Sequence, residues 1–373
     1  MEQRHLPHGN ACENLSVLGI GAAGLTQISE RDIEAVFHKA LEHGVNYFEM
    51  CAGNAKIYAP FGRAIAQCRK EVFFELHFGA IYDQNGDYGW SRDLDEIQKT
   101  FDWEMKTLHT DYVDFGFLHC IDTYDDYETL VSHGVLDKIL ELKKQGVVRH
   151  IGFSSHTPAV ASKILDTGLI DLMLFSINPA YDLEKPGEHA YAIDSCGDTL
   201  SRMALYQKCE AMGVGITVMK PFHGGGLLDR EASPLGIALT HAQCLQYALD
   251  RPGVLSVCPG VRNLQDLDTV LHFLSASPDE KDYACIANAT PQSALGHCVY
   301  CNHCKPCPAG IDIGLVNKYY DLALNGDAMA ANHYAKLTVN ASKCLQCGHC
   351  DHRCPFLVRQ SERMAQIARH FGH

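Results

Sequence analysis

Long apolar runs are absent from this chain of 373 residues. No segment approaches the roughly 18 uninterrupted apolar residues of a membrane-spanning helix, so we expect no membrane segment. The first ten residues, MEQRHLPHGN, are polar and lack the apolar core of a secretory signal peptide. We therefore expect a cytoplasmic protein.

An excess of basic residues is also missing. Lys and Arg number 31 against 45 Asp and Glu, which gives a formal net charge of -14 at pH 7. An acidic surface repels the phosphate backbone of nucleic acids and anionic lipid headgroups. We therefore expect neither a nucleic-acid partner nor a membrane partner.

A strong dinucleotide-binding fingerprint is missing as well, because the nearest match to GxGxxG, Gly19–Gly24, is weak. Short apolar runs instead alternate with helical patterns, and such runs are typical of parallel strands buried on both faces. Eight strand–helix pairs in about 260 residues predict an α/β fold with a (β/α)₈ TIM barrel, in preference to a doubly wound sheet. The predicted strands are Leu15–Ile20, Val45–Phe48, Val72–Leu76, Tyr112–Leu118, Val148–Phe153, Leu172–Ile177, Gly215–Val218 and Val254–Cys258.

Cysteine is abundant, with 17 residues in the chain. Nine are scattered singly, whereas eight cluster near the C-terminus. Because we expect a cytoplasmic protein, clustered thiols indicate metal binding in preference to disulfides. The clustered residues are Cys298, Cys301, Cys304, Cys307, Cys344, Cys347, Cys350 and Cys354.

The spacing of these cysteines is that of a bacterial ferredoxin. The second run reads CxxCxxCxxxCP, and the first is one residue tighter before its last cysteine. In such proteins three cysteines of a run bind one [4Fe–4S] cluster and the fourth binds the other. Two structural zinc sites are the alternative, although the even spacing and the Cys-Pro pairs suit clusters better. The predicted ligand sets are Cys298, Cys301, Cys304 and Cys354 for one cluster, and Cys344, Cys347, Cys350 and Cys307 for the other.

Three segments are expected along the chain. Residues 1–274 form the barrel, residues 275–297 form a linker rich in small residues, and residues 298–373 form a small α-rich, ferredoxin-like domain that ends in a tail. Two neighbouring clusters would make a short electron path. Such a path needs a donor at one end and an acceptor at the other, and the barrel is the natural place for the second.

Polar residues directly follow the predicted strands. Barrel enzymes carry their active sites at the C-terminal ends of the strands, so these residues together predict a site at the barrel mouth. Each alone is better explained as a capping or solvated residue. They are Glu49, Cys51, Asn54, His77, His119, Ser154, Ser155, His156, Asn178, Tyr181, Lys220, His223, Gly260 and Arg262.

Several segments resemble the aldo/keto reductases, namely Asp111–His119, Gly146–His156 and Gly213–Pro221. Pro259–Asn263 is similar to the loop after strand eight in which that family binds its cofactor. The segment Gly296–Ile313 resembles the subfamily that carries a C-terminal ferredoxin domain. The resemblance covers nearly the whole chain, and it implies carbonyl reduction with NAD(P)H by an Asp, Tyr, Lys and His tetrad.

The tetrad is only partly matched by the residues of this chain. His119 matches the family histidine, and Glu49 stands at the aspartate position. Asn54 stands at the tyrosine position, and Leu76 or His77 stands at the lysine position. The family's proton donor and its activating lysine are therefore both replaced.

Two substitutes for the missing proton donor are open. Tyr58 or Tyr82 is near in sequence, or else His77 and His119 donate protons, since histidine titrates near neutrality. Glu49 would then orient one of the two histidines. A structural hydrogen-bond cluster is the alternative explanation for these residues.

Nicotinamide binding is implied by the same resemblance. Ser154 and Ser155 match the positions that hold the carboxamide, although Met219 stands where the family stacks a residue on the ring. Lys220 opens a glycine-rich segment that could cradle pyrophosphate with backbone N–H groups, and Arg262 could meet the adenosine phosphate. NAD(P)H is therefore a candidate cofactor beside the two clusters.

Together these features predict an iron–sulfur oxidoreductase of the aldo/keto reductase type. Electrons would pass between an external carrier, such as ferredoxin or flavodoxin, and a small carbonyl-containing substrate at the barrel mouth, where a reductive elimination could follow. One alternative is an electron-transfer subunit with a catalytically degenerate barrel, and another is a conventional NAD(P)H-dependent carbonyl reductase. An open barrel mouth would favour an enzyme over the electron-transfer subunit.

Overall fold

Parallel strands and helices alternate through most of the chain. The structure is a computed structural model, and it describes residues 1–183, 199–289, 295–298, 300, 302–324 and 330–372. Cys301, one of the predicted cluster ligands, lies outside these residues. In the described part no helix has the length and apolar character that a bilayer span requires.

Twelve strands are present in the described residues. Ten of them form one sheet, in which eight are parallel neighbours in the order β12-β11-β10-β9-β8-β5-β4-β3 and the hairpin of β6 and β7 joins at β5. Gly19 N donates to Val257 O at 2.8 Å and Gly21 N to Pro259 O at 3.0 Å, so the last strand meets the first and the barrel closes. The predicted (β/α)₈ barrel is confirmed. The strands are β1 (Gln3–His5), β2 (Asn14–Ser16), β3 (Ile20–Gly21), β4 (Tyr47–Glu49), β5 (Phe73–Phe78), β6 (Ala80–Tyr82), β7 (Tyr88–Trp90), β8 (Val113–Leu118), β9 (Val148–Ser155), β10 (Leu172–Ser176), β11 (Gly215–Met219) and β12 (Val254–Val257).

Helices cover the outside of the barrel and make up the C-terminal segment. In α1 the Ser29 side chain accepts a hydrogen bond from Asp32 N, which satisfies a free N–H of the first turn. The α-helices are α1 (Glu30–Glu42), α2 (Tyr58–Ile65), α3 (Leu94–Thr107), α4 (Tyr124–Ser132), α5 (Val135–Gln145), α6 (Pro158–Leu165), α7 (Pro179–Asp182), α8 (Thr199–Ala211), α9 (His241–Leu249), α10 (Leu264–Leu271), α11 (Ile313–Leu324), α12 (Ala330–Ala335), α13 (His349–Arg353) and α14 (Gln360–Phe371).

The first predicted strand, Leu15–Ile20, is wrong as a single element. Leu15 and Ser16 belong to β2, which pairs antiparallel with β1, whereas Leu18 bridges Val257 of the barrel and Ile20 begins β3. The chain turns between them because the Ser16 hydroxyl donates to Leu18 O at 2.8 Å, while Asn46 Oδ1 accepts the Ser16 N–H at 2.7 Å. The other seven predicted strands are confirmed to within two residues.

The barrel interior is filled with side chains. Gly152 on β9 is required there, because a Cβ at this position would lie 2.1 Å from the Phe117 ring. A filled interior leaves room for a ligand only at an end of the barrel. The buried interior residues include Tyr47, Phe73, Phe115, Phe117, Leu172, Leu174 and Leu255.

The C-terminal segment has its own apolar core, formed by residues such as Val316 on α11 and Ile367 on α14. It packs on the barrel at the N-terminal ends of the last strands. Lys318 pairs with Glu210 at 3.0 Å, and Glu210 accepts the Gly253 N–H at 2.7 Å just before β12. The division of the chain at residues 274 and 297 stays a prediction.

Candidate active site

A cleft of about 690 Å³ opens at the C-terminal ends of the barrel strands. Its volume suits a small organic ligand, since such pockets typically measure about 300–1,000 Å³. Six of the eight predicted catalytic and cofactor-binding residues line it, and Asn54 and Ser155 do not. The six are Glu49, His77, His119, Ser154, Lys220 and Arg262.

Glu49 ends β4 and lies at the polar end of this cleft. One of its oxygens, Oε1, accepts the Cys51 N–H at 2.8 Å and lies 3.7 Å from His77 Nε2. Burial raises the pKa of Glu49 to about 7, because the low-dielectric surroundings disfavour the carboxylate.

His77 on β5 and His119 after β8 are buried side by side. Their Nδ1 atoms are 3.0 Å apart, and His77 Nε2 lies 3.3 Å from Glu75 Oε1. The hydroxyl of Tyr47 donates a hydrogen bond to the second oxygen of Glu75. Burial lowers the pKa of His77 to about 3 and the pKa of His119 well below its usual range, so both imidazoles are neutral.

Tyr88 on β7 completes this group, and sequence reasoning missed it. Its hydroxyl lies 2.6 Å from His119 Nε2. Partial burial raises the pKa of Tyr88 to about 12, so the hydroxyl keeps its proton beside the imidazole. The tyrosines that were predicted as substitutes lie elsewhere: the Tyr58 and Tyr82 hydroxyls are 3.0 Å apart and bond to main-chain carbonyls.

The Asn54 side chain does not line the cleft, and its hydrogen bonds hold a loop in place. Its Oδ1 accepts the Lys56 N–H at 3.0 Å, which caps a short 3₁₀ helix, and its Nδ2 donates to Asp87 Oδ1 at 2.9 Å. Tyr88 N donates to Gly53 O at 3.2 Å in the same place. Asn54 therefore ties the loop after β4 to the hairpin that carries Tyr88.

A second polar group borders the cleft at β9. Asp122 Oδ2 lies 2.9 Å from His156 Nδ1, and Asp122 Oδ1 accepts the Ser155 hydroxyl at 3.3 Å. Lys220 Nζ lies 3.3 Å from His156 Nε2. The Ser154 hydroxyl accepts the Cys120 N–H at 2.8 Å. The predicted nicotinamide-binding serines thus hold the loop after β8 in place.

The rim of the cleft has features that fit a phosphate-bearing cofactor. Gly224 and Gly225 have positive φ angles of 65° and 97°, and a Cβ on either would meet no heavy atom within 4 Å. This leaves an unhindered glycine backbone beside Lys220. Arg262 is exposed and pairs with Asp266 at 2.6 Å. These residues could hold a dinucleotide by its phosphates.

Four C-terminal cysteines lie around one small cavity. They form no disulfide, and they are the predicted ligand set of one cluster: Cys307, Cys344, Cys347 and Cys350. In a tetrahedral zinc site sulfur atoms are about 3.8 Å apart. No three C-terminal cysteines among the described residues bring their sulfurs within 4.8 Å of one another. The cavity itself is small, about 10 Å³, which is about the space that one water molecule occupies.

The other predicted ligands lie apart from this cavity. Cys298 and Cys304 are buried, and Cys354 is half-buried. Gln360 Nε2 donates to Cys298 Sγ at 3.6 Å. With Cys301 outside the described residues, the first ligand set stays a prediction.

Sequence and structure comparisons place the barrel among known proteins. A model of the Aldo/keto reductase family matches residues 17–290. The uncharacterized oxidoreductase YqkF of Bacillus subtilis is 25% identical in an alignment of length 286 that covers 72% of this chain and 89% of YqkF. L-galactose dehydrogenase of Arabidopsis thaliana is 25% identical in an alignment of length 293 that covers 70% of this chain and 84% of that enzyme.

Solved structures show the same fold. The holo form of aldo-keto reductase AKR11C1 from Bacillus halodurans superimposes with a TM-score of 0.60 at 21% identity, over 78% of this chain and 97% of that one. The family match ends at residue 290, so the eight clustered cysteines lie beyond it.

Proposed function

Because this chain belongs to the aldo/keto reductase family and is an oxidoreductase, we propose that it acts on a small carbonyl-containing substrate in the cleft at the barrel mouth. The observation that carries the proposal is the open cleft with the buried group Glu49, His77 and His119 at one end. An open cleft also argues against the electron-transfer subunit with a degenerate barrel.

The lining of the cleft indicates how a substrate would bind. Its polar end would place a carbonyl oxygen against the group of Glu49, His77 and His119, and its side wall includes Leu174 and Phe222. A polar end and an apolar wall together orient a ligand and exclude water from the reacting carbon. Asn54 would act indirectly, by holding the hairpin that carries Tyr88.

NAD(P)H is proposed as a cofactor of the same cleft. It would supply a hydride to the carbonyl carbon when bound. Lys220, Arg262 and the glycines of the rim would hold its phosphates, and Ser154 and Ser155 would shape the loop next to the nicotinamide. The family membership of the barrel supports this assignment.

The C-terminal cysteines are proposed to hold two [4Fe–4S] clusters. The support is the ferredoxin spacing of all eight together with the cavity that Cys307, Cys344, Cys347 and Cys350 share. Such clusters supply single electrons, here from an external carrier such as ferredoxin or flavodoxin. A low-potential supply of this kind would suit a reductive elimination next to the carbonyl. We also propose a cytoplasmic location, where thiols stay reduced.

A conventional NAD(P)H-dependent carbonyl reductase is the second candidate. One observation favours it: the Lys318–Glu210 contact attaches the C-terminal segment at the end of the barrel opposite the cleft. Electrons that entered through the cysteines would then have to cross the layer of outer helices.

An anaerobic titration separates these possibilities. NADH, NADPH and reduced ferredoxin are added in turn to the iron-loaded chain, and the absorbance is followed at about 400 nm, where clusters absorb. Reduction of small ketones and α-hydroxy ketones is assayed with each donor. The proposal expects a brown protein whose colour bleaches with reduced ferredoxin and whose turnover depends on it. Cys347→Ala should impair bleaching, whereas Cys12→Ala, an exposed cysteine remote in sequence, should not.

Other outcomes contradict parts of the proposal. Turnover with NADPH alone, unaffected by reduced ferredoxin, would contradict ferredoxin-dependent chemistry and support a conventional NADPH-dependent carbonyl reductase. A colourless protein that contains zinc would contradict the proposal that the cysteines hold [4Fe–4S] clusters. Ready bleaching with no turnover of any carbonyl compound would leave the electron-transfer subunit.

A further inference from the structure

We propose that Cys51, His77 and His119 form a binding site for Zn²⁺ at the polar end of the cleft. One ligand atom from each residue lies within 4.8 Å of the other two. Thiolate and imidazole are the ligands that zinc prefers, and three protein ligands with an open fourth position are typical of catalytic zinc. The inference rests on the proposed function, because it gives the reacting end of the cleft an electrophile.

The two imidazoles are already arranged to share an ion. His77 Nδ1 and His119 Nδ1 are 3.0 Å apart, and the ring planes cross at 81°. Two nitrogens bound to one tetrahedral zinc at about 2.0–2.1 Å lie about 3.4 Å apart. To replace the hydrogen bond between the rings by two metal bonds, the nitrogens would move apart by a few tenths of an ångström and the rings would turn so that both lone pairs face the ion.

The other nitrogen of each ring has an oxygen partner. His77 Nε2 lies 3.3 Å from Glu75 Oε1, and His119 Nε2 lies 2.6 Å from the Tyr88 hydroxyl. Histidines that bind metal almost always use their second nitrogen in this way, which fixes the ring and its tautomer. On binding, the His119 proton would sit on Nε2 and be accepted by the Tyr88 oxygen, while Nδ1 would face the ion.

Cys51 supplies the third ligand from the loop after β4. Its N–H donates to Glu49 Oε1 at 2.8 Å, which holds the loop, and its side chain is half-buried at the wall of the cleft. All three ligands line the cleft, so the open position of the ion would face a bound substrate. Zinc there would polarise a carbonyl oxygen as a Lewis acid.

A second group of possible ligands is less suitable. Cys120, Asp122 and His156 also bring ligand atoms within 4.8 Å of one another. Lys220 Nζ, however, lies 3.3 Å from His156 Nε2, and an ammonium group at this distance repels a cation. The outer partners of the first group are instead the Glu75 carboxylate and the Tyr88 hydroxyl, and neither carries a positive charge.

Zinc binding can be measured without any turnover assay. The full-length, iron-loaded chain is titrated anaerobically with Zn²⁺ against a chromophoric chelator, in parallel with Cys51→Ala and the control Cys68→Ala, a half-buried cysteine outside the cleft. Wild type and control should bind one equivalent more than Cys51→Ala, or bind it more than about 100-fold more tightly. Zinc held by C-terminal cysteines appears in all three samples and cancels.

Zinc K-edge absorption identifies the ligands, because iron does not contribute at that energy. The spectrum of wild type minus Cys51→Ala should show one sulfur and two imidazole nitrogens. Equal stoichiometry and affinity in the three proteins, or a spectrum with sulfur ligands only, would overturn the site. His119→Gln gives a second test, with circular dichroism to confirm that it folds.

Failure of the zinc site and failure of the proposed function are distinguishable. If the chain reduces a carbonyl compound but binds no zinc in the cleft, the proposed function is supported and the zinc site is contradicted. If the chain binds zinc with these ligands but reduces none of the carbonyl compounds, the zinc site is supported and the proposed function is contradicted.

Discussion

Glu104 on α3 makes the stability of the barrel depend on pH. Its side chain is 2% exposed, and burial raises its pKa from 4.5 to about 8, an effect that a hydrogen bond from Tyr58 only partly offsets. Between these two values the folded chain holds a proton that the unfolded chain releases. The free energy of unfolding therefore falls as pH rises through this window.

The magnitude follows from the size of the shift. At about 1.4 kcal/mol per pKa unit, the contribution of Glu104 at pH 7 is a loss of about 3 kcal/mol relative to pH 4. Glutamine has nearly the same shape as a protonated glutamate and cannot ionise. Glu104→Gln should therefore lie within about 1 kcal/mol of wild type at pH 5 and be more stable by about 4 kcal/mol at pH 8, which raises the melting temperature by several degrees.

Thermal unfolding at pH 5 and pH 8, followed by circular dichroism, checks this prediction. The exposed Glu128→Gln is the matched control, and it should leave both melting temperatures unchanged. A gain of equal size at the two pH values would mean that packing, not ionisation, is responsible. A loss at pH 8 would refute the reasoning outright.

Three further predictions concern the site and the core. Tyr88→Phe should lower kcat for the carbonyl substrate by about 10–100-fold with an unchanged melting temperature, because the hydrogen bond to the histidine after β8 is lost. Gly152→Ala should destabilise by about 1–3 kcal/mol or more in denaturant unfolding, since its Cβ would overlap the Phe117 ring. Arg202→Met should cost about 3–5 kcal/mol in the same assay, because it leaves the buried carboxylate of Asp182, now 2.8 Å from Arg202 Nε, without its charge partner. An Arg202→Lys variant that is equally unstable would show that shape matters there more than charge.

Most of the barrel could be predicted because strands buried on both faces are apolar throughout. The error at Leu15–Ile20 has a related cause, since a mostly apolar run, interrupted here by Ser16 and Gly19, does not show where one strand ends and another begins. The break depends on Asn46, which is 30 residues away from Ser16 and joins it only after folding. Ser29, by contrast, acts on Asp32 within one turn, so the start of α1 is a local signal that the sequence carries.

In the candidate site, too, residues that follow a strand directly could be predicted, whereas contacts between distant segments could not. Glu49, His77 and His119 follow strands directly, so the barrel geometry brings them together as predicted. Tyr88 could not be found in this way, because it stands on a hairpin added after β5 and meets His119 across 31 residues. Asn54 stands at the position where the family has tyrosine, but its short side chain is satisfied by Lys56 N and turned to the loop.

The attachment of the C-terminal segment has a kinetic consequence. Lys318 and Glu210 join it to the barrel next to Gly253, where β12 begins, whereas the cleft opens where the strands finish. An electron-carrier protein bound over the C-terminal cysteines and a substrate bound in the cleft would thus approach from different sides. Neither would obstruct the other, so both could occupy the enzyme simultaneously, and double-reciprocal plots should intersect instead of running parallel.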